Sequence, residues 1–450
     1  MKTAIVIGAG ITGLAAAATI KKHGHQVRLL EKSGRAGGAI ESLQESGYTV
    51  ETGPHSLMLG NLQTALLLGE LGLNDELLMP EAAAQNRFVL KHGEMVNVPM
   101  APGDFLKSKL LSGGGKTRLL KEPFTRKPSN LNEESLASFV QRRLGQEVLD
   151  YMAEPMVSGI FAGDPQRLSA QYAFPQLAAL EDEHGSLIKG AMKSKKSKPA
   201  GSFKPVMASF KDGMQALPQA FARQLGEDLI YNATIQEISH EDGWKVSWEA
   251  GGKSETLAAD AVIIATPAFA IRELPLPPIV NDVIYDLHEI PYPPLVSLAL
   301  GFKREHVRHA LDGFGVLVPA VEHRNVLGVL FPSSFFAGRA PEGHVLLNVF
   351  VGGMRQRELA RMSEKDLLAM VEVDLDHRVG VNGDPVYVHR TLWEKAIPQY
   401  HVGHGDFIKM CEIAEAAAPG LHLAGNWRGG IAVGQCLSNG VALGKQVSGV

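Results

Sequence analysis

The N-terminal stretch AIVIGAGITGLAAAA, followed by VRLLEKSGRAGG, constrains this 450-residue chain more than any other segment. It reads as a strand, a glycine-rich turn, a helix and a second strand ending at Glu31, which is the unit that binds a dinucleotide. Gly8 permits the tight turn, Gly10 lets the backbone approach a pyrophosphate, and Gly13 lets the helix through Ala15 to Ala18 pack closely on the strands. The start of that helix, with Ala9, Ile11 and Thr12 around it, then turns unpaired N–H groups and a positive dipole end toward the phosphates. Glu31 is placed to accept both ribose hydroxyls and repels a 2′-phosphate, so the nucleotide is of the FAD or NAD type rather than NADP. GRAGGAIES directly after Glu31, and YTVETGPHSL beyond it, favour FAD, because Gly37 and Gly38 supply flexible backbone where a longer cofactor needs close approach.

The chain is too long for one simple core, so two or three domains are expected. A net charge of -4 excludes a global field for nucleic acid. Only two cysteines, Cys411 and Cys436, argue against a disulfide framework or a structural zinc site and suit a reducing compartment. The first strand starts at once, leaving no room for a signal or transit peptide, and no apolar run is long enough to span a bilayer. A cytoplasmic protein is the expectation.

Along the chain, GNLQTALLLGELGL reads as a helix ended by Gly72, and NRFVLKHGEMVNVP as a hairpin turning at His92 and Gly93. Between Ala101 and Pro128 seven basic residues stand against two acidic ones. With Phe105, Leu106, Leu110 and Leu111 as apolar flanks, this stretch suits an interfacial helix on an anionic membrane, or simply a solvated basic face. Helical pattern resumes in NEESLASFVQRRLGQEVLDYMAEPMVSGI, with Asn132 and Ser135 as candidate caps. IKGAMKSKKSKPAGSFK has few apolar anchors and reads as a loop. A helix (DGMQALPQAFARQL), a hairpin across Glu241 to Gly243, and the buried strand DAVIIATPA follow. From Pro275 to about Gly353 the pattern is β-rich, and GLHLAGNWRGGIAVGQCLSNGVALGKQV closes the chain as strand, glycine turn and helix. This order describes an α/β fold: a Rossmann-like FAD-binding domain (1–86, 203–272 and 405–450) interrupted by two insertions, one β-rich (87–100 and 273–404) and one helical (101–202).

VIGAGITG, LLEKSGRAGGAIES, ETGPHSL, VIIATPA and LAGNWRGGIAVGQCLSNG together resemble the flavin amine oxidase and protoporphyrinogen oxidase superfamily. AAQNRFVL, EPMVSGIFAGDP, SFKPVMASFKDGMQALP, LGVLFPSSFFAGRAPEG, VFVGGMRQREL and AIPQYHVGH narrow the resemblance to the protoporphyrinogen oxidases, and it spans essentially the whole chain. It implies an FAD domain, a substrate domain and a helical domain that touches the membrane. It also implies oxidation of a porphyrinogen to a porphyrin with dioxygen as acceptor and hydrogen peroxide as product. That chemistry needs a positioned ring and excluded water rather than a catalytic side chain, so neither a triad nor a metal is expected.

By motif position, the resemblance assigns nucleotide contacts to Gly8, Ala9, Gly10, Ile11, Thr12, Gly13, Glu31, Lys32, Gly38, Ala39 and the turn Gly53, Pro54, His55, Ser56. It puts Ile235 where a strand backbone meets the adenine, and Ile431, Ala432 and Val433 where the last helix begins beneath the flavin. No flavin-linking cysteine motif accompanies them, which implies noncovalent FAD. Arg87 matches an arginine associated with a porphyrinogen propionate, for which a guanidinium fork is suited. Gly159 matches a glycine at the substrate cavity, and its sequence fits a helix C-cap equally well. Leu330, Phe331 and Phe335 either wall the macrocycle or pack the core. His401 and His404 lack partners for a metal pattern and read as structural. Coproporphyrinogen III oxidation, an amine oxidase or carotenoid desaturase on the same scaffold, and a flavin- or porphyrin-binding protein without turnover all stay open, as does a homodimer.

Overall fold

A computed structural model describes residues 1–99, 102–128, 133–197 and 203–450. Asn132, one of the candidate caps, lies outside the described residues, and so does the side chain of Leu106. Five parallel strands form the first sheet, in the order Leu229–Ile230, Gln26–Leu30, Thr3–Ile7, Ala261–Ile264, Leu421–Leu423. Side chains alternate across a strand, so Ala4 and Val6 join one core while Ile5 and Ile7 join another. The first core takes the opening helix Ile11–Lys22, the helix Ala216–Leu225 and the terminal helix Val433–Ser448. The second takes the antiparallel meander Thr234–His240, Trp244–Ala250, Lys253–Ala259 and the helix His404–Ala417.

The opening and terminal helices meet over small residues. A Cβ added at Gly440 would stand 2.3 Å from the Thr12 carbonyl oxygen, and one at Gly444 would stand 2.6 Å from Thr19 Cβ. Backbone therefore packs directly on backbone, which ties the first turn of one helix to the other.

A seven-stranded, mainly antiparallel sheet forms the second layer, in the order Tyr387–Trp393, Leu295–Lys303, His344–Gly352, Val326–Leu330, Gly315–Leu317, Phe88–Lys91, Glu94–Asn97. Its last two strands are the hairpin read at His92 and Gly93. The pair that joins this hairpin to the rest is parallel, setting Val316 beside Phe88 and Leu317 beside Val89.

Helices between 102 and 197 form the third layer. Ser135 caps Leu136–Arg143 by accepting from Ser138 N–H at 3.2 Å. Two expectations are corrected here. The basic stretch read as a loop is in part a helix, Leu187–Ser197. Its first amides are satisfied by a residue far away in sequence: Glu122, wholly buried, accepts from Leu187 N–H (2.9 Å), Ile188 N–H (3.2 Å) and Ser186 Oγ (2.6 Å). Buried Arg143 balances that carboxylate and Glu181. The 101–128 stretch is likewise not one interfacial helix. It forms Pro102–Lys107, Gly113–Leu120 and a single turn at Glu122–Phe124, and Leu110 and Leu111 are core residues rather than membrane-facing ones. Among the described residues no helix is long and apolar enough to cross a membrane.

Candidate functional site

The nucleotide residues converge through backbone approaches that side chains would forbid. Gly8, at φ +103°, leaves the first strand by donating to Leu30 O at 2.8 Å. A Cβ on Gly13 would stand 2.0 Å from Gly8 O, whereas one on Gly10 would enter open space. Gly10 caps the opening helix without a side-chain acceptor, which leaves the first-turn amides available. Gly37 N–H reaches Ala9 O at 2.8 Å and Gly38 folds back over Gly10. Ala39 O would be 1.9 Å from a Cβ on Gly53, so the Gly53–Ser56 turn lies against the same loop. Beyond that turn, Met58 O would be 2.5 Å from a Cβ on Gly434, which brings in the start of the terminal helix.

Glu31 accepts from Ala9 N–H at 2.7 Å, Ser33 N–H at 2.8 Å and Ser33 Oγ at 2.7 Å. An ionised carboxylate offers about four acceptor sites, so capacity for a hydroxyl is left over. Backbone bonds from Ala233 to Glu31 and from Asn232 to Ser33 tie in the segment that leads to Ile235. Lys32 is exposed and pairs with Glu273 at 3.4 Å. At the far end, the Ala432 amide is already held by Gln435 Oε1 at 3.2 Å, so Ile431 and Val433 are its neighbours with amides to offer.

The proposed substrate residues meet where the parallel strand pair brings Phe88 to Val316. Arg87 is exposed, with no ion pair to a carboxylate among the described residues, and its guanidinium lies 5.4 Å from the Phe314 ring centroid. Gly159 is within the helix Glu154–Phe161, two residues before its last, and the C-cap is Ala162. The C-cap alternative is therefore corrected: a Cβ at Gly159 would stand 2.7 Å from Leu317 Cδ2. Leu330 pairs with Gly315 in the adjoining strand and is partly exposed. Phe331 and Phe335 are wholly buried: Phe331 sits in the sheet core, and Phe335 backs Phe314 at 4.5 Å between centroids. Phe314 and Leu317 escaped the sequence reading, although both lie in GFGVLVPA, the strand that carries the contact.

His55 lies edge-on to Phe350 at 5.8 Å between ring centroids. Burial, reinforced by the nearby Arg339 guanidinium, lowers its imidazole to about 4. Glu51 beside it is raised to about 6 by burial, against the opposing pull of Arg339, Ser42 and the Met214 amide. Among the described residues no group of three or more His, Cys, Asp or Glu side chains converges as a metal site.

The family model for flavin containing amine oxidoreductases matches residues 11–442. A Nicotiana tabacum protein named protoporphyrinogen oxidase, mitochondrial, is 36% identical, the match covering 98% of this chain and 93% of the relative. The chain belongs to the flavin-containing amine oxidoreductase family, in its protoporphyrinogen oxidase branch. A Bacillus subtilis relative named coproporphyrinogen III oxidase is 30% identical over 98% of this chain and 97% of its own. A crystal structure from Exiguobacterium sp. 255-15 shares the fold at TM-score 0.81 and 24% identity, covering 99% of this chain and 98% of that one. This member of the family is thus a flavoprotein oxidoreductase with FAD as its cofactor. The residues fit that group: the open space over Gly10, the uncapped helix amides and the spare acceptor capacity of Glu31 match a pyrophosphate and a ribose in turn.

Proposed function

We propose that the chain oxidises protoporphyrinogen IX to protoporphyrin IX, using noncovalent FAD and dioxygen and releasing hydrogen peroxide. The observation that carries this reading is Arg87: an exposed guanidinium with no carboxylate partner among the described residues, over the Phe314 ring, at the rim of a wall built from Gly159, Leu317 and Leu330. Such a wall suits a flat apolar macrocycle, and the free fork suits its propionate. Bound FAD supplies the hydride acceptor. The nucleotide is held by the Gly8–Gly13 turn, Glu31, Gly38, Ala39, the Gly53–Ser56 turn, Ile235 and the amides of Ile431 and Val433. Residues 1–86, 203–272 and 405–450 then act as the FAD-binding domain, 87–100 and 273–404 as the substrate domain, and 101–202 as the helical domain.

The helical layer offers the surface for a peripheral contact with anionic lipid. Phe124 is 84% and Leu120 63% exposed, beside Lys121 and Arg126, which are exposed too. Lys189 reaches Pro123 O at 3.3 Å and so brings the helix Leu187–Ser197, with exposed Met192, to the same patch. Apolar tips ringed by cations suit an interface where an apolar substrate arrives.

An aerobic assay of the purified protein tests the function, reading porphyrin fluorescence and peroxide with protoporphyrinogen IX and coproporphyrinogen III in parallel. Faster turnover of protoporphyrinogen is expected. Preference for coproporphyrinogen would move the assignment to the B. subtilis relative's named reaction, and turnover of neither would overturn it.

A further inference from the structure

The turn from Gly425 to Gly430 leads directly into Ile431–Val433 and has no regular secondary structure of its own to fix it. Its three glycines, Gly425, Gly429 and Gly430, have φ of +146°, +83° and +122°. In that region glycine is free to move, so the shape of the turn is set from outside. Two side chains from AIPQYHVGH do much of this. Tyr400 OH donates to Asn426 O at 2.7 Å and accepts from Gly430 N–H at 3.0 Å, clamping both ends of the turn. His404 Nε2 lies 3.0 Å from Trp427 O. A carbonyl only accepts, so Nε2 carries the proton, and Nδ1 is buried with no partner among the described residues.

The two rings stack at 4.3 Å between centroids and 14° between planes, and Tyr172 of the helical layer meets His404 edge-on at 5.6 Å. Tyr400, His404 and Trp427 are all buried, so these bonds form away from water. Burial alone lowers the His404 imidazole to about 4, which keeps the ring neutral and its single donor on the turn. Asn439 holds Gly429 O at 3.1 Å from the terminal helix, and Trp427 Nε1 donates to Thr266 O at 3.0 Å, just beyond the strand Ala261–Ile264.

We propose that Tyr400 and His404 are positioning residues for the flavin: as a stacked, hydrogen-bonded pair they fix the Gly425–Gly430 turn, and with it the direction in which the Ile431 and Val433 amides point. This rests on the reading that those amides meet FAD. His404, which reads as merely structural in the sequence, thereby acts on the cofactor through Trp427 and the turn.

The test titrates flavin-stripped protein with FAD by fluorescence quenching and records the absorption spectrum and midpoint potential of the reconstituted holoprotein. Each hydrogen bond lost is worth about threefold to tenfold in affinity, so Tyr400→Phe, which loses two, is expected to raise the Kd roughly 10- to 100-fold. His404→Phe keeps a stacked ring but loses the donor, and is expected to raise it about threefold to tenfold; His404→Gln, which restores a donor, recovers part of that. The flavin bands and potential shift in the same order. If Tyr400→Phe does not fold, the two His404 variants decide. Wild-type Kd, spectrum and potential in the folded variants, even with a lowered Tm, would overturn the proposal, because the pair would then support only the fold. A wild-type protein that binds no FAD would instead overturn the reading beneath it.

Discussion

Replacing Arg87 by alanine separates substrate binding from stability more cleanly than any other change at the site. The side chain is exposed, and among the described residues it meets the Phe314 ring at 5.4 Å to the centroid. A cation–π contact at such a place is worth about 0.5–1 kcal/mol. Its loss lowers the Tm by about 2 °C or less in a protein of this size. A charged hydrogen bond to a propionate is worth about 1.5–3 kcal/mol, and about 1.4 kcal/mol is a factor of ten, so the KM for protoporphyrinogen should rise by about one to two decades. A carboxylate clamp remote from the reacting methylene binds ground and transition states alike, so kcat should change much less. Arg87→Lys keeps the charge but loses the planar fork, and its KM should lie between the two. Steady-state kinetics by porphyrin fluorescence, with thermal melts of the same preparations, gives both numbers. An unchanged KM, or a loss confined to kcat, would refute the propionate clamp.

Gly440→Ala should destabilise the protein by about 1–3 kcal/mol and weaken FAD retention, since the new Cβ would stand 2.3 Å from Thr12 O and 2.8 Å from Ala15 Cβ; a wild-type denaturation midpoint would show that the helices separate at no cost. Acid should destabilise the fold, because His55, His401 and His404 are each lowered by burial from 6.5 to about 4. The unfolded chain then binds protons that the folded chain does not, so stability falls as pH drops from 6.5 toward 4, against a smaller opposite effect of Glu51 below about 6. A Tm that stays level or rises across that range would contradict this. Phe124→Ser with Leu120→Ser should reduce co-sedimentation with anionic liposomes, and salt should weaken what remains; binding indifferent to both changes would place the contact elsewhere.

The nucleotide unit was legible because everything that specifies it is local: glycine spacing, strand alternation and the acidic residue that ends the second strand lie within 31 residues. The hairpin at His92 and the closing strand, turn and helix were legible for the same reason. What escaped depends on partners distant in sequence. Leu187–Ser197 opens on a local cap, Ser186 Oγ accepting from Lys189 N–H at 3.1 Å, but its first two amides are held by Glu122, far away in sequence. Leu110 and Leu111 look like membrane anchors until the helical layer closes over them, while the exposed Leu120 and Phe124 carry no period that would mark them. Arg87 and Gly159 were found by motif, but their neighbours Phe314 and Leu317 were not. A parallel strand pairing joins segments more than 200 residues apart, and no local pattern announces it. The buried pairing of Tyr400 with His404 was hidden likewise, since two nearby aromatic rings give no sign of which carbonyls they hold.

The central claim, that a porphyrinogen gives its electrons to FAD on this chain, is tested most directly by anaerobic titration of the oxidised holoprotein with protoporphyrinogen IX. Full oxidation of the tetrapyrrole removes three hydrides and three protons, and one flavin accepts a single hydride. The flavin absorbance should therefore bleach to an end point of about three flavins per porphyrinogen, with porphyrin fluorescence appearing as enzyme is held in excess, and oxygen should restore the flavin colour. A flavin that stays oxidised in the presence of excess protoporphyrinogen and coproporphyrinogen would contradict it.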